Sequence, residues 1–292
     1  MIRIGIVGSD NSHAESFSKV CNLKGQGGSR QIAGARVVAL FGLDDKRNEE
    51  VARNARIPTI VKRPTDMLGM VDAVIVDFRD GALHYKYARP FLQAGLPTFV
   101  DKPMACSLTH ARKIVALARR HRAPLMSASG VRFGPRIDEF KRKVGTIGKV
   151  RAGLVIGRGN ARGPYGGIFF YGVHCVEMLL EIFGNRVNSV GCIEHDGSAV
   201  ATVGFSDGKV VVMNVINGSN VPFQAAAFGS KGVIFPGPED LFTGYYDTMC
   251  VFLKMVRTGK PPIPHKDLLL SVRIMDAMKK SMDRAGKEIV LR

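Results

Sequence analysis

Short apolar runs alternate with helical segments along residues 1–128. The runs are rich in Val, Ile and Phe and lie at positions 2–7, 36–41, 59–61, 72–76, 97–100 and 124–127. Helical spacing of apolar residues follows most of them, at 14–22, 46–55, 83–94 and 108–121. Strands buried on both faces read as continuous apolar runs, and their alternation with helices is typical of a parallel sheet. The pattern therefore predicts an α/β fold whose first domain, residues 1–128, is a doubly wound parallel sheet.

A different pattern begins at residue 129. Runs with period-two alternation lie at 151–156, 188–194, 199–205, 209–216 and 224–228. The turns Asp196-Gly197 and Asp207-Gly208 separate three of them, as in β-hairpins. Helices are predicted at 136–144, from about 173, at 241–258 and at 266–284, and a last strand at 288–291. This indicates a second, α+β domain at 129–292 with a mostly antiparallel sheet. The C-terminal helix and strand pack either within this domain or back against the first domain.

Charge and cysteine content narrow the class of protein. Lys and Arg outnumber Asp and Glu by 42 to 25, a formal net charge of +17, but they are spread along the chain. This distribution favours a basic surface or an anionic small substrate over nucleic acid as the partner. The five cysteines are scattered, which indicates reduced thiols and predicts no metal site. Neither a signal peptide nor a membrane span is predicted, so we expect a cytoplasmic protein.

The turn after the first strand resembles a degenerate phosphate-binding loop. In GxGxxG, the second glycine lets the backbone approach a pyrophosphate. Only the first glycine is present here; an aspartate and a histidine replace the other two. The serines and the helix N–H groups of this turn could still bind phosphate, but equally Asn11 or Ser12 caps the helix and His13 packs against the sheet. The candidate cofactor contacts in this turn are Gly8, Ser9, Asp10, Asn11, Ser12 and His13.

Further candidate cofactor contacts follow the later strands. After a glycine-rich loop at 24–34 and the second strand, Gly42 replaces the acid that usually binds the adenosine ribose. Asp44, just beyond, is either a substitute ribose contact or a helix cap. Asp77 and Arg79 follow the strong strand at 72–76, and His84 is either structural or at the edge of the cofactor.

The stretch Asp101-Lys102-Pro103 follows the strand at 97–100 directly. Ligand chemistry in open α/β sheets lies at the carboxyl ends of strands, and proline stiffens the peptide that carries Lys102. Asp101 is a candidate cofactor contact. The alternative for Lys102 is a surface ion pair with Asp101.

Four spaced signatures resemble the Gfo/Idh/MocA family (glucose–fructose oxidoreductase, inositol dehydrogenase and relatives). VDAVIVDFRDGALHYKYARPFLQAGLPTFVDKPMA is similar to the family's fourth and fifth strands, including its histidine, here His84. Its DKP replaces EKP. GGIFFYGVHCVEMLLEIFG is similar to GGxxxDxGxHxxD, with Glu177 in place of the last aspartate. FLKMVRTGKPPIP and SMDRAGKEIVL resemble the closing helices and strand, so the likeness covers almost the whole chain.

The resemblance implies a Rossmann domain, an α+β domain with an open sheet, and a homodimer or homotetramer. The implied reaction is NAD- or NADP-linked oxidation of a hydroxyl on a sugar, cyclitol or related compound. Lys102 would bind the reacting hydroxyl, His174 would be the acid/base, and Glu177 would orient His174 or bind substrate. Arg132 either binds an anionic substrate or ties the interdomain crossover to a carboxylate.

The sequence also departs from the family. Phe170 or Tyr171 occupies the acidic substrate position, and Tyr171 is a candidate substrate contact. The loop 157–167 looks short, which predicts an open substrate side. Because the phosphate loop is degenerate, two alternatives stay open: a non-redox enzyme such as a lyase or hydrolase, and a cofactor-poor binding protein on the same scaffold.

Overall fold

The computed structural model describes residues 1–23, 31–235, 237 and 240–291. Most of the predicted loop 24–34 lies outside these ranges. The described residues form two compact units, Met1–Ala128 with Gly244–His265, and Ser129–Thr243 with Lys266–Arg292. The second predicted domain is therefore interrupted by a segment that joins the first unit. The bounds of independently folding domains remain a prediction.

The strands and helices of the described residues are numbered in chain order. The strands are β1 (Ile2–Val7), β2 (Ala35–Phe41), β3 (Thr59–Ile60), β4 (Ala73–Val76), β5 (Thr98–Val100), β6 (Leu125–Met126), β7 (Val150–Arg158), β8 (Val187–His195), β9 (Ser198–Phe205), β10 (Val210–Ile216), β11 (Gln224–Gly229), β12 (Val233–Ile234) and β13 (Ile289–Val290). The α-helices are α1 (Ser12–Asn22), α2 (Asp45–Ala55), α3 (His84–Gln93), α4 (Leu108–Arg120), α5 (Pro135–Val144), α6 (Ile168–Phe183), α7 (Tyr246–Thr258) and α8 (His265–Met282).

The first unit contains the predicted doubly wound sheet. Its six strands pair in parallel in the order β3-β2-β1-β4-β5-β6. β1 and β4 are almost wholly buried, which explains their unbroken apolar sequences. This is the strand order of dinucleotide-binding domains, in which ligands bind at the carboxyl ends of the strands where the order reverses. The prediction of a Rossmann domain is confirmed.

The second unit contains a seven-stranded sheet in the order β12-β11-β7-β10-β9-β8-β13. All neighbours are antiparallel except β7 and β10, so the prediction of a mostly antiparallel sheet is also confirmed. Alternate residues of β9 and β10 are buried, as expected for a sheet with one covered face. β13 pairs with β8, so the last strand completes this sheet rather than returning to the first unit.

Two helix starts differ from the prediction. α6 begins at Ile168 rather than near Val173, because Gly167 at φ 60° makes a turn and Phe169 and Phe170 already bond back to residues 166 and 167. α7 begins at Tyr246 rather than 241. Gly244 at φ 107° interrupts the backbone before it. In the part of the chain that the structure describes, no helix is both long and apolar enough to span a membrane.

Candidate active site

The first turn of the Rossmann sheet is built on Gly8. Its φ is 117°, and a Cβ there would lie 2.5 Å from the backbone oxygen of Asp77. Glycine is therefore required where β1 and β4 end side by side. Asn11 fills the turn: its Oδ1 accepts from the N–H of His13, and its Nδ2 donates to Asp77 Oδ1 at 2.8 Å. Asn11 is thus the cap of α1, as one of the two open interpretations expected.

A serine–asparagine pair occupies the place of the usual ribose acid. Ser9 Oγ donates to Asn48 Oδ1 at 2.7 Å, and Asn48 Nδ2 donates to the carbonyl of Gly42 at 3.1 Å. A Cβ on Gly42 would lie 2.1 Å from both side chains, so no acid can stand there. Asp44 is exposed and accepts from the N–H of Arg47, which makes it the cap of α2.

The candidate contacts Asp10 and Arg79 meet at the rim of the same turn. The carboxylate of Asp10 is exposed and accepts the backbone N–H of Arg79 at 3.1 Å. Ser12 is exposed at the first position of α1. The turn therefore presents a helix N-terminus, which suits a phosphate, next to a carboxylate, which does not.

A buried cluster of one histidine and two acids lies at the ends of β1, β4 and β5. His13 Nδ1 is 2.9 Å from Asp101 Oδ2, which makes the two an ion pair when the imidazole is protonated. Asp77 is fully buried, and its Oδ2 has no partner among the described residues. Burial, and then the charge of Asp101, raise the pKa of Asp77 well above its usual range. Burial also opposes ionisation of Asp101, but His13 and Lys102 outweigh it and lower the pKa of Asp101.

The same three side chains could hold a cation. His13, Asp77 and Asp101 each offer one ligand atom, and these atoms lie within 4.8 Å of one another. Imidazole with carboxylates is a ligand set that divalent transition metals accept. The three residues follow three different strands, so no sequence spacing signals them, and none was predicted as a metal ligand.

Lys102 lies on a buried segment next to this cluster. Its exposed fraction is 7%, and that of Asp101 is 1%, so the alternative of a surface ion pair does not hold. His84 is wholly buried, with Nδ1 2.8 Å from the carbonyl of Pro103 and Nε2 2.9 Å from that of Phe78. Burial lowers the pKa of His84. His84 therefore links the ends of β4 and β5, and its contacts are those of a structural residue that positions the Lys102–Pro103 segment.

The second unit holds His174 on α6. The side chain is 5% exposed, and its Nδ1 lies 2.6 Å from Ser129 Oγ. The Ser129 hydroxyl also accepts the N–H of Val131, at 3.2 Å. Aromatic rings lie on either side of the imidazole, with centroids of Tyr171 at 5.6 Å and Phe223 at 4.8 Å. The ring is thus fixed in a largely apolar site through one of its two nitrogens.

Arg132 and Glu177 form a buried ion pair near His174 in the chain. Arg132 Nε donates to Glu177 at 2.5 Å, and Nη1 donates to Glu181 at 3.0 Å. Burial opposes the charge of Arg132, but the two glutamates outweigh it and raise its pKa. Glu181 also contacts Lys141. Of the two interpretations of Arg132, the geometry shows the tie to a carboxylate, and Glu177 is occupied by Arg132.

Three residues of these sites gave no signal in the sequence. Ser129 is 45 positions from His174, and nothing distinguishes it from other serines. Asn48 lies inside a helical pattern, where a polar residue is ordinary. Arg158 ends β7, and its guanidinium carbon is 4.7 Å from the Phe223 ring centroid. The glycine motif itself could have drawn attention to Asn48, because an absent ribose acid requires another group in its place.

A doubly wound domain with this strand order is a dinucleotide-binding fold. Residues 2–129 match the model of an oxidoreductase family with an NAD-binding Rossmann fold, Gfo/Idh/MocA. The DKP signature follows β5 in the first unit, and the HxxE signature lies on α6 in the second unit. Residues 2–129 of the first unit thus resemble the Gfo/Idh/MocA family.

Relatives with names support this assignment. The chain is 26% identical to inositol 2-dehydrogenase of Corynebacterium glutamicum (strain R) over 230 residues, which cover 74% of the chain and 64% of the relative. It is 27% identical to trans-1,2-dihydrobenzene-1,2-diol dehydrogenase of Mus musculus, over 68% of the chain and 65% of the relative. The match thus spans a little under two thirds of the length of these proteins.

Solved structures share the whole fold. Myo-inositol 2-dehydrogenase from Lactobacillus plantarum superimposes with a TM-score of 0.84 at 18% identity, covering 100% of this chain and 99% of that one. Myo-inositol dehydrogenase from Lactobacillus casei, solved in complex with NAD(H) and myo-inositol, gives a TM-score of 0.81 at 17% identity, covering 100% and 97%. At this identity, the likeness establishes the fold.

Proposed function

We propose that the protein is an NAD- or NADP-dependent oxidoreductase that transfers a hydride between the nicotinamide and a hydroxyl-bearing carbon of a sugar, cyclitol or related compound. The observation that carries the proposal is the buried imidazole of His174, fixed by Ser129 at 2.6 Å. The family match of residues 2–129, the Rossmann strand order and the dehydrogenase names of the relatives support the same reaction.

The first turn fits a dinucleotide in part. In favour are Gly8 with its positive φ and the N-terminus of α1, which would hold the pyrophosphate. Against tight binding are the carboxylate of Asp10 and the absence of an acid at Gly42. On balance the turn accommodates the cofactor, with Ser9, Asn48 and Asp44 on the ribose side. When bound, the nicotinamide accepts or returns a hydride.

His174 and Lys102 have separate roles in this proposal. In oxidation, a base must remove the hydroxyl proton as the hydride leaves. With Nδ1–H donated to Ser129 Oγ, we assign the role of that base to Nε2 of His174, and in reduction the same nitrogen returns the proton. Lys102 stabilises the developing alkoxide through its positive charge. Glu177 acts indirectly, by holding Arg132 and the segment that bears Ser129.

The test is a calorimetric titration of the cofactor-stripped protein with NAD, NADH, NADP and NADPH. Micromolar binding of one oxidised–reduced pair is expected, followed by hydride transfer to or from polyols. Asp10→Asn should bind that pair several-fold more tightly, because it removes a like charge beside the pyrophosphate. Asp138→Asn removes an exposed charge from the second unit and should change nothing. A folded protein that binds none of the four nucleotides contradicts the proposal.

One observation favours a second candidate, a non-redox enzyme or a binding protein on the same scaffold. The Ser9–Asn48 pair fills the space of the ribose acid, and Asn11 already bonds Asp77 within the turn. If no nucleotide binds, the same titration supports this candidate, and variants of His174 and Lys102 then separate an enzyme from a binding protein.

We further propose a cytoplasmic homodimer or homotetramer. Scattered, unpaired cysteines suit a reducing compartment. Exposed apolar side chains on the second sheet, among them Ile193, Val200 and Val210, suit burial by another copy. Light scattering of the purified chain measures the assembly, and Val200→Lys should shift it towards the monomer. A monomer in the parent protein contradicts this part of the proposal.

A further inference from the structure

The second unit contains a cavity of about 390 Å³. It lies where β7 and β10 end and α6 begins, and it is lined by aromatic rings, side-chain amides and one arginine. The lining residues that matter here are Arg158, Asn160, Tyr165, Phe170, Tyr171 and Asn217. Its volume is at the small end of the range for small-molecule sites, enough for one substituted sugar or cyclitol ring.

The charge of this cavity is one-sided. Among its described lining residues, Arg158 is the one that carries a charge, and none is Asp or Glu. The hydrogen bonds of the guanidinium go through Nη1, to the carbonyl of Val221 at 3.2 Å and to Asp240 Oδ2 at 3.5 Å. The other oxygen of Asp240 accepts backbone N–H groups. Nε and Nη2 of Arg158 therefore form an edge that can hold a carboxylate or phosphate with two hydrogen bonds.

The neutral part of the lining suits a polyhydroxylated ring. The Asn160 and Asn217 amides can exchange hydrogen bonds with hydroxyl groups. Tyr165, Phe170 and Tyr171 form a row of touching rings, with centroid separations of 5.3 Å and 4.8 Å. The C–H faces of a saturated ring pack well on such aromatic surfaces. In the related family motif, an acid stands at Phe170 or Tyr171, so the chain has exchanged a negative group for apolar surface.

The cavity lies near the proposed acid/base, although His174 itself does not line it. Tyr171 lines it and is 5.6 Å from the His174 ring. Phe223 lies between the two polar groups, 4.8 Å from the imidazole and 4.7 Å from the guanidinium carbon of Arg158. An anionic group at Arg158 would thus lie about one ring away from a hydroxyl at His174.

We propose that this cavity selects a substrate that carries an anionic group, carboxylate or phosphate, on a polyhydroxylated ring or chain, and that Arg158 binds that group. The inference rests on the proposed function, because it names the substrate class of the same reaction. It transfers the role of anion binding from Arg132, which its glutamates occupy, to Arg158.

The experiment is a set of calorimetric titrations of the full chain, without nucleotide, using matched neutral and charged probes. Glucose is compared with glucuronate for the carboxylate arm, and with glucose 6-phosphate for the phosphate arm; myo-inositol and its monophosphate form a cyclitol pair. We expect at least one charged probe to bind about tenfold or more tightly than its neutral partner, as a charge-assisted bidentate contact provides. The arm that shows the larger ratio identifies the anion.

Variants of two arginines on the same strand make the test specific. Arg158→Gln should abolish the preference for the charged probe while leaving the neutral one unchanged. Arg158→Lys retains the charge without the two-pronged edge and should keep part of the preference; it also guards against misfolding of the first variant. Arg151→Gln removes an exposed arginine at the other end of β7 and should keep the full preference.

Three results overturn the inference: equal affinity within every pair, a preference that survives Arg158→Gln, or no binding of any charged probe. These outcomes are separate from the nucleotide titration. Nucleotide binding with oxidation of neutral polyols alone leaves the proposed function standing and removes the anion site. Selective binding of an anionic probe without nucleotide binding supports the anion site and contradicts the proposed function.

Discussion

A half-buried histidine of the first unit, His13, and a buried histidine of the second, His174, have opposite kinds of partner. His13 lies 2.9 Å from the carboxylate of Asp101, with the fully buried Asp77 beside it. His174 lies 2.6 Å from the neutral hydroxyl of Ser129. The partner of the first ring is a carboxylate, and the partner of the second, at Nδ1, is a hydroxyl.

The charges around the two rings also balance differently. Near His174, Arg132 and Lys141 face Glu177 and Glu181, so two cations compensate two anions in fixed ion pairs. Near His13, two carboxylates share the space, and the raised pKa of Asp77 means that it stays protonated where an ordinary aspartate ionises. The first cluster therefore changes its charge with pH, whereas the charges near His174 are paired one to one.

The largest expected effect is loss of the second ring. His174→Asn should lower the rate of hydride transfer by about 10²–10⁴-fold, the usual contribution of a general acid/base, with nucleotide affinity unchanged. Steady-state rates and calorimetry on the same preparation measure both. His195→Asn, at the exposed end of β8, is the matched control and should retain the parent rate. A fall in nucleotide affinity that accounts for the lost rate would assign His174 a structural role instead.

The second largest effect is expected from breaking the buried Arg132–Glu177 ion pair, which lies in the same unit as His174. Arg132→Met leaves Glu177 buried without its partner and should lower the free energy of unfolding by about 3–5 kcal/mol. The double variant Arg132→Met with Glu177→Met should recover most of that loss, since no charge is then stranded. Urea unfolding of the full chain measures both.

The exposed pair Arg186–Asp207 provides the control for that measurement. Arg186→Met should move the unfolding midpoint little, because the partner carboxylate stays in water. If the double variant is as unstable as Arg132→Met, the comparison between compensated and uncompensated charge does not hold.

The fold could be predicted from the sequence because its signals are local. β4 is a continuous apolar run, β1 is one except for Arg3, and Asp207-Gly208 marks the turn of the β9–β10 hairpin, so each signal identifies its strand. The start of α6 could not be predicted from the sequence, since Gly172 and the aromatic residues before it have low helix propensity. Burial of Ile168 and Phe169, which only the tertiary structure provides, makes that turn helical.

The candidate site was predictable only where a motif carries it. Lys102 and His174 stood out because each lies in a spaced signature. Ser129 and Arg158 are chosen by proximity in space, and the sequence contains no sign of which serine or arginine lies against a given ring. Arg132 could not be assigned for the same reason. Whether it binds an anionic substrate or a carboxylate of the chain depends on Glu177 and Glu181, which only folding brings next to it.

A smaller effect separates the first cluster from the second by pH. Because the pKa of Asp77 is raised in the folded chain, the unfolded chain loses this proton first, starting near pH 3.9. Stability contributed by the protonated acid is full below that pH and falls as the pH rises towards the folded pKa, by up to about 1.4 kcal/mol per pH unit. Asp77→Asn mimics the protonated acid and should remove this slope.

Urea unfolding of the parent and of Asp77→Asn at several pH values above about pH 5 isolates the effect as the difference between their two slopes, because His84, whose pKa is lowered, contributes to both proteins alike. The stabilising ionisation of Asp101, whose pKa is also lowered, is lost only on acidification below that range. Asp138→Asn, an exposed acid of the second unit, should keep the parent slope. A metal bound by His13, Asp77 and Asp101 would give the opposite sign: the parent would gain stability with rising pH, and a chelator would abolish the gain.

The smallest effect tests the hydroxyl that defines the second ring. Ser129→Ala removes the partner of His174 Nδ1 and should lower the rate about tenfold, the value of one hydrogen bond of about 1.4 kcal/mol. The acidic limb of the pH–rate profile for oxidation, where the base becomes protonated, should shift at the same time, because the ring loses the contact that fixes its tautomer. Ser129→Thr should restore both the rate and the profile. A purely structural serine would change unfolding but leave the profile where it was. Either outcome decides whether the hydroxyl of Ser129, the neutral partner of His174, contributes to the reaction. Asp101, the charged partner of His13, is the corresponding group in the first cluster.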